Sequence, residues 1–225
     1  MKPAWSQFFK TYGHGLFGLY IFIYLPWFAF LETRTNVTYH EIHCVLDDYI
    51  PFVEGFIIPY YLWFFFIAIT CVTMFYKSQR GEFFRFAIML TLGMSICNII
   101  YTIYPSYIAL RPAILHDTNV FTHTLIKLYN IDTSSNVCPS IHVYNSLVCC
   151  SALQRNIYLQ DMKSFRYTGV ILTALITLST VFLKQHSFVD VVAAIVLFLI
   201  MHYLLKYLPW KILHDPSPVL PPRAK

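Results

Sequence analysis

Charged residues are scarce in this sequence. Asp, Glu, Lys and Arg make up 12% of its 225 residues, whereas soluble domains carry about 25%. So few charges cannot cover a water-exposed surface, which argues against a soluble globular protein. The 20 Phe and 17 Tyr residues exclude a disordered chain. The apolar runs are continuous and do not alternate as the strands of an outer-membrane barrel do. The composition therefore predicts an all-α integral membrane protein, a single domain over residues 1–225.

Metal and nucleic-acid signatures are also missing. The net charge of +5 comes from short basic clusters between apolar runs, a pattern that reports membrane topology and not nucleic-acid binding. No CxxC zinc pattern occurs among the six cysteines. We expect a lipid bilayer as partner, no nucleic acid, no cofactor and no metal. One alternative is a metal cluster with unfamiliar spacing, and another is a disulfide between Cys44 and Cys138. The cluster would comprise His40, His43, Cys44, Asp47 and Asp48.

The apolar runs predict six transmembrane helices, since one span needs about 20 mostly apolar residues. They cover residues 12–31, 56–76, 86–104, 137–154, 167–183 and 187–205. Twelve of the 16 Lys and Arg residues fall on the side that holds both termini. The positive-inside rule places that side in the cytoplasm. The prediction is a six-helix bundle with both termini cytoplasmic and a short tail over about residues 206–225.

Polar groups that are distant in sequence meet at the other membrane surface in this topology. Ionisable side chains at such a depth are costly and are commonly functional. The group consists of Arg111 after the third span, Ser140 and His142 at the start of the fourth, Lys184 and His186 at the end of the fifth, and Asp190 at the start of the sixth.

These residue types suit phosphate chemistry. His186 and Asp190 stand four residues apart, so the carboxylate can fix the imidazole tautomer and raise the basicity of the other nitrogen. Pro139 suits the first turn of a helix, and a helix start beside Ser140 and His142 binds phosphate through free N–H groups. One histidine can attack phosphorus while the other protonates the leaving oxygen.

Cations would complete such a site, and each assignment has a simpler alternative. Arg111 and Lys184 would hold the phosphate oxygens, the arginine as a planar fork and the lysine as a point charge. Either side chain could instead anchor its helix at the membrane interface. Ser140 could be a helix cap, and His186 with Asp190 could be a structural hydrogen-bonded pair. The aromatic run around Tyr60 is expected to face lipid or to pack.

The motifs resemble the type 2 phosphatidic acid phosphatase (PAP2) superfamily, over residues 86–205. Pro139-Ser140-Ile141-His142 resembles its Pro-Ser-Gly-His motif, His186 to Asp190 its His-x-x-x-Asp ending, and Arg111-Pro112 its Arg-Pro ending. The resemblance implies a six-helix core, a phosphohistidine formed on His186 with Asp190 as partner, and His142 as acid for the leaving group.

The sequence also departs from the full phosphatase pattern. Tyr104 stands where the first motif begins with lysine, Thr180 replaces an arginine of the third motif, and Ile141 replaces glycine. The sphingomyelin and inositol-phosphorylceramide synthase branch, which transfers phosphorylated head groups, similarly departs from these motifs while retaining both histidines and the aspartate. Lys184 and Lys127 are candidates to replace the missing cations.

The resulting expectation is a lipid phosphatase that hydrolyses a membrane lipid phosphate or diphosphate on the extracytoplasmic side of the plasma membrane. Two alternatives stay open: a lipid phosphotransferase with the same chemistry, and a non-catalytic lipid-binding membrane protein. The sequence does not reveal the lipid or the oligomeric state.

Overall fold

A computed structural model of the chain describes residues 13–113 and 115–206. The predictions about the two cytoplasmic ends and the tail beyond residue 206 lie outside these residues. The described chain is mostly helical. In chain order it contains α1 (Ile21–Glu32), β1 (His40–Glu41), α2 (Val45–Tyr49), α3 (Ile57–Tyr76), α4 (Arg80–Ile103), β2 (Ser106–Tyr107), α5 (Val120–Ile131), α6 (Ile141–Arg155), α7 (Lys163–Phe182) and α8 (Phe188–Lys206). Short 3-10 helices cover Gly13–Tyr20, Glu54–Phe56 and Ile157–Leu159.

Five helical segments of the described chain are long and apolar enough to cross a membrane. They are Gly15–Glu32, Glu54–Tyr76, Arg80–Ile103, Lys163–Phe182 and Phe188–Lys206. Their outer surfaces carry many exposed large apolar side chains, such as Phe22, Phe65 and Leu204. So large an exposed apolar surface is unfavourable in water, whereas it suits contact with lipid. The prediction of a helical integral membrane protein is confirmed in this form.

The remaining predicted span, residues 137–154, corresponds to α6. This helix has 15 residues and is therefore about 22 Å long, shorter than the ~30 Å hydrocarbon core. It packs against α3, α4, α7 and α8, and most of its residues are buried. The count of six spans stays a prediction, because α6 is a central helix enclosed by its neighbours.

Close packing at one glycine brings α4 against α6. A Cβ atom on Gly93 would lie 2.0 Å from the ring of Tyr144, so a larger residue would force the helices apart. The Tyr144 hydroxyl donates a hydrogen bond to the carbonyl of Met89 at 2.7 Å. The absence of a side chain at Gly93 makes room for the Tyr144 ring in the middle of the bundle, where the buried hydroxyl of Tyr144 has a hydrogen-bond partner.

The connections at one end of the bundle are tied to one another. β1 pairs in parallel with β2, His40 opposite Ser106, and Tyr107 bridges to Ser135. The loop after α1 therefore joins the long connection between α4 and α6. The candidate site lies at this end.

Candidate active site

The C-terminus of α7 fixes the position of Gln185 and His186. Lys184 has a φ of 52°, the left-handed conformation that commonly ends helices. The N–H of Gln185 donates to the Thr180 carbonyl at 2.9 Å, and the N–H of His186 donates to the same oxygen at 3.0 Å. The N–H of Lys184 donates to the Val181 carbonyl at 3.1 Å. These bonds form a Schellman-type end, which turns the chain sharply before α8.

The start of α8 brings His186 and Asp190 into contact. Asp190 Oδ2 lies 3.2 Å from His186 Nδ1 and accepts the N–H of Ser187 at 2.9 Å. In return, the Ser187 hydroxyl accepts the N–H of Val189 at 3.1 Å. Ser187 is thereby the N-cap of α8, with the Asp190 side chain bonded back to its N–H. Asp190 therefore caps the helix and orients the imidazole through the same oxygen.

The imidazole tautomer of His186 follows from this contact. An ionised carboxylate only accepts hydrogen bonds, so the proton of a neutral His186 belongs on Nδ1. The lone pair is then on Nε2, away from Asp190. His186 is 7% exposed and Asp190 is fully buried, so this pair is shielded from bulk water.

His142 lies beside His186, in the first turn of α6. The centroids of the two imidazole rings are 5.7 Å apart. Both histidines line a small cavity of about 30 Å³, together with Asp132, Asn136 and Gln185. A water molecule occupies a comparable volume in the liquid. The structure thus brings His142, His186 and Asp190 together, although His142 belongs to a different helix from the pair His186–Asp190.

Asp132 is a site residue that the sequence analysis did not identify. One carboxylate oxygen accepts a hydrogen bond from the hydroxyl of Tyr60 and lies 4.0 Å from His142 Nε2. That second separation exceeds a direct hydrogen bond, but one intervening water would bridge it. Each histidine therefore has its own carboxylate neighbour.

Tyr60 does not face lipid. It is fully buried, and its ring centroid lies 4.7 Å from that of His142. Tyr60 instead packs inside the protein, which was the other expectation for this residue. The hydrogen bond to Asp132 adds a polar role. Hydropathy could not reveal that role, because a phenol ring is apolar except for one hydroxyl.

Arg111 lies next to the site. Its guanidinium donates to the carbonyls of Asp132 at 2.7 Å and Tyr129 at 3.2 Å, and to the side-chain oxygen of Gln185. The guanidinium carbon also lies 4.2 Å from the centroid of the Tyr129 ring. Burial lowers the pKa of Arg111 below its ordinary value, against the opposing effect of Tyr129 and Asp132. Its positive charge is thus held beside Asp132 and Gln185, two residues that line the cavity.

Arg34 supplies a second cation that the sequence did not single out. Its guanidinium donates to the Tyr101 carbonyl at 2.7 Å and to Asn136 Oδ1 at 3.3 Å. Asn136 lines the cavity and also donates to Glu32 Oε1 at 2.8 Å. The parallel pairing of β1 with β2 explains how this residue, far away in sequence, reaches the site.

Ser140 and Lys184 both have hydrogen-bond partners within the protein. Ser140 is buried, and its hydroxyl accepts the N–H of Val143 at 3.4 Å, which makes it the N-cap of α6. The ammonium of Lys184 donates to the carbonyls of Ile50 at 2.6 Å and Asp47 at 2.9 Å. The phosphate-binding role assigned to these two residues stays a prediction, and the contacts seen are structural.

Asp47 fastens the loop that contains α2 to the start of α8. Its carboxylate accepts the Ser187 hydroxyl at 2.6 Å and the N–H groups of Phe188 at 2.8 Å and Cys44 at 2.9 Å. Burial acts to raise the pKa of Asp47, but these hydrogen bonds outweigh it and hold the pKa below its ordinary value. The loop that contains α2 therefore supports the residues that follow His186.

The two histidines of the alternative metal cluster have different partners. His43 pairs with Asp48 at 2.8 Å, and the ring of His40 stacks on Tyr104 with centroids 4.3 Å apart. Across residues 13–113 and 115–206, no group of three or more His, Cys, Asp or Glu residues has an arrangement that could hold a metal ion.

Cys44 and Cys138 are free thiols. Cys138 lies beside the carboxylate of Asp190. Burial, and then the negative charge of Asp190, raises the pKa of Cys138 to about 12. This thiol is therefore protonated at physiological pH.

Comparison with known protein families, curated proteins and solved structures gave no match. The likeness to the PAP2 superfamily accordingly rests on the three short motifs and stays a prediction.

Proposed function

We propose that this protein is a membrane enzyme that hydrolyses a lipid phosphate or diphosphate through a phosphohistidine on His186. The observation that carries the proposal is the buried pair His186–Asp190 facing His142 across a small cavity. Arg111 and Arg34, one residue removed from that cavity, provide positive charge for a phosphate. The predicted topology would place this end of the bundle on the extracytoplasmic side of the plasma membrane.

The first chemical step uses both histidines. Asp190 holds the proton on Nδ1 of His186, so Nε2 attacks phosphorus and forms a P–N bond. The P–O bond to the lipid breaks, and protonated His142 donates its proton to the departing oxygen. Asp190 stabilises the positive charge that develops on the His186 ring, as a carboxylate does for a catalytic imidazole.

The second step regenerates the enzyme. His142 is now neutral and accepts a proton from a water molecule while the oxygen of that water attacks phosphorus. The P–N bond breaks and inorganic phosphate leaves the site. His186 is then neutral again, with its proton on Nδ1. Burial lowers the pKa of His142 to about 4, and the carboxylate of Asp132, 4.0 Å away, acts in the opposite direction and favours the protonated form that the first step requires.

A second candidate is transfer of the phosphoryl-containing group to a lipid hydroxyl. The burial of His186 and the small volume of the cavity favour it, because a shielded site limits the access of water. In this reaction an acceptor hydroxyl replaces the water of the second step, and the proton passes to His142 in the same way.

The test is phosphate release by the purified full-length protein in detergent, with phosphatidic acid, lysophosphatidic acid and an isoprenyl diphosphate as substrates. His186→Ala should abolish release. His123→Ala is the matched control, because this exposed histidine pairs with Asp117 in the long loop at the same end of the bundle. Products that form only when an acceptor lipid is added would establish transfer. No turnover under either condition would leave a binding role and refute both enzymatic candidates.

A further inference from the structure

An apolar groove runs along the bundle between α3, α4 and the first helical segment. Its volume is about 750 Å³, within the ~300–1,000 Å³ typical of small-molecule sites. Side chains such as Phe17, Ile67 and Phe86 form its walls. Along α3 the lining extends from Trp63 to Tyr76, which corresponds to about 20 Å at 1.5 Å per residue.

The groove ends beside the candidate active site. Trp63 lines the groove, and its ring centroid lies 4.3 Å from that of His142. Asn145, which also lines the groove, follows His142 by about one helical turn. The two features are therefore neighbours through the contact of Trp63 with His142.

Unsatisfied polar atoms mark this inner end. The indole Nε1 of Trp63 and the side-chain oxygen of Asn145 are both buried without a hydrogen-bond partner. Asn145 as a whole is 1% exposed. Buried polar atoms are nearly always satisfied, so a donor and an acceptor left open at one place indicate a ligand with a complementary neutral polar group.

The shape of the groove indicates what fills the rest of it. A volume of about 750 Å³ spread over about 20 Å describes a long, slender groove, and a single extended hydrocarbon chain fits these dimensions. Water would not fill the groove, because apolar cavities stay dry.

We propose that this groove binds one hydrocarbon chain of the substrate lipid, with the ester, amide or hydroxyl group next to the head group bonded to Trp63 and Asn145. The assignment rests on the proposed function and adds the substrate class: a lipid whose chain is long enough to fill the groove. The length of about 20 Å exceeds half of the ~30 Å hydrocarbon core, so an extended chain from one leaflet fits.

Ala68 offers the means to block the groove. It lines the groove, five residues beyond Trp63 and thus about 7 Å from the inner end. Ala68→Trp should stop a long chain there. Ala174→Trp makes the same change at an exposed alanine of α7 that does not line the groove. Gly18→Leu is a second blocking variant, since a Cβ atom at Gly18 meets no atom within 4 Å.

The binding test uses a long-chain phosphatidic acid with a photoreactive group at the end of one chain, in phosphatidylcholine vesicles that contain the full-length protein. Labelled peptides are mapped by mass spectrometry. We expect labels on groove residues beyond Ala68, such as Cys71 and Phe75, in wild type and in His186→Ala alike. Ala68→Trp and Gly18→Leu should remove these labels, and Ala174→Trp should retain them.

The outcomes separate this inference from the proposed function. Labelling in His186→Ala does not require catalysis, so it tests the groove even if hydrolysis is wrong. Labels spread evenly over the lipid-facing helices, or unchanged by both blocking variants, would overturn the inference. With an active enzyme, Ala68→Trp should lower kcat/KM for palmitoyl substrates about tenfold or more, as misfits in apolar pockets do, and spare butanoyl analogues. An equal loss on both would also count against the groove.

Discussion

Asp47→Ala tests how the loop that contains α2 supports the candidate active site. Asp47 is 2% exposed and accepts three hydrogen bonds, two of them from Ser187 and Phe188 directly after His186. Bonds to a charged group contribute about 1.5–3 kcal/mol each, and they are not additive. We therefore expect a loss of about 3–5 kcal/mol in the free energy of unfolding, which is large for a single substitution.

The effect on catalysis follows from geometry. Without these bonds the turn that carries His186 loses its anchor, and a displacement of about 1 Å at a reacting group costs about 100-fold in rate. We expect kcat for phosphate release to fall by about that factor. Asp48→Ala is the matched control, because its neighbouring carboxylate is exposed and pairs only with His43 among the described residues. It should change Tm and kcat little.

The pH dependence gives the same prediction an independent readout. The pKa of Asp47 is lowered in the folded protein, so its contribution is fully present above the ordinary value of 3.8 and is lost as pH falls through the lower folded value. The wild-type Tm should drop on acidification more than that of Asp47→Ala. A variant with wild-type Tm and with kcat within about twofold of wild type would refute this account of the loop.

Three further predictions concern the site itself. Asp190→Asn should lower kcat by about 10²–10⁴, because an amide cannot hold the imidazole in the reactive tautomer; stopped assays of phosphate release measure this, and an active variant would make Asp190 a cap only. Asp132→Asn should slow lipid phosphates, which need an acid for the leaving oxygen, more than a nitrophenyl phosphate, which does not; equal losses on both would contradict a role through His142. Cys138 should resist maleimide near neutral pH because its pKa is about 12, and Asp190→Asn should lower that pKa and speed labelling as followed by mass spectrometry; rapid labelling of the wild type would contradict the burial of this thiol.

Hydropathy predicts the membrane helices because a span must satisfy its backbone internally and present apolar side chains to lipid. Residues 56–76 and 187–205 accordingly correspond closely to helical segments of the structure. Residues 137–154 are also mostly helical, as α6. A helix buried by its neighbours and a helix in contact with lipid are both rich in apolar residues. For this reason the 15-residue enclosed helix α6 resembles a longer membrane span in its sequence.

Motif spacing predicts which histidines matter but not all of their neighbours. His186 and Asp190 are adjacent along one helix start, so local periodicity is sufficient to pair them. Asp132, Arg34 and Asp47 reach the site only through loop connections. The sequence contains one local signal for the start of α8. Ser187 stands three residues before Asp190, a spacing that is typical of a helix start.

The contacts of Lys184 show a case in which the sequence suggested a ligand-binding role and the structure shows backbone partners instead. A lysine two residues before a candidate catalytic histidine suggests a phosphate ligand, yet its ammonium donates to the backbone carbonyls of Asp47, in α2, and of Ile50, directly after α2. Sequence gives the charge of a side chain and its place along the chain. It does not give the direction of a long flexible side chain, which depends on loops folded elsewhere.

The central claim is that His186 forms a covalent bond to phosphorus, and trapping that intermediate tests it most directly. The purified protein is mixed with a radiolabelled lipid phosphate and quenched in alkali, which preserves phosphohistidine, and the labelled peptide is sequenced by mass spectrometry. We predict one phosphoryl group on His186 that turns over with the substrate and is absent from His186→Ala. Turnover with no label on His186, or with the label on another residue, would contradict the account.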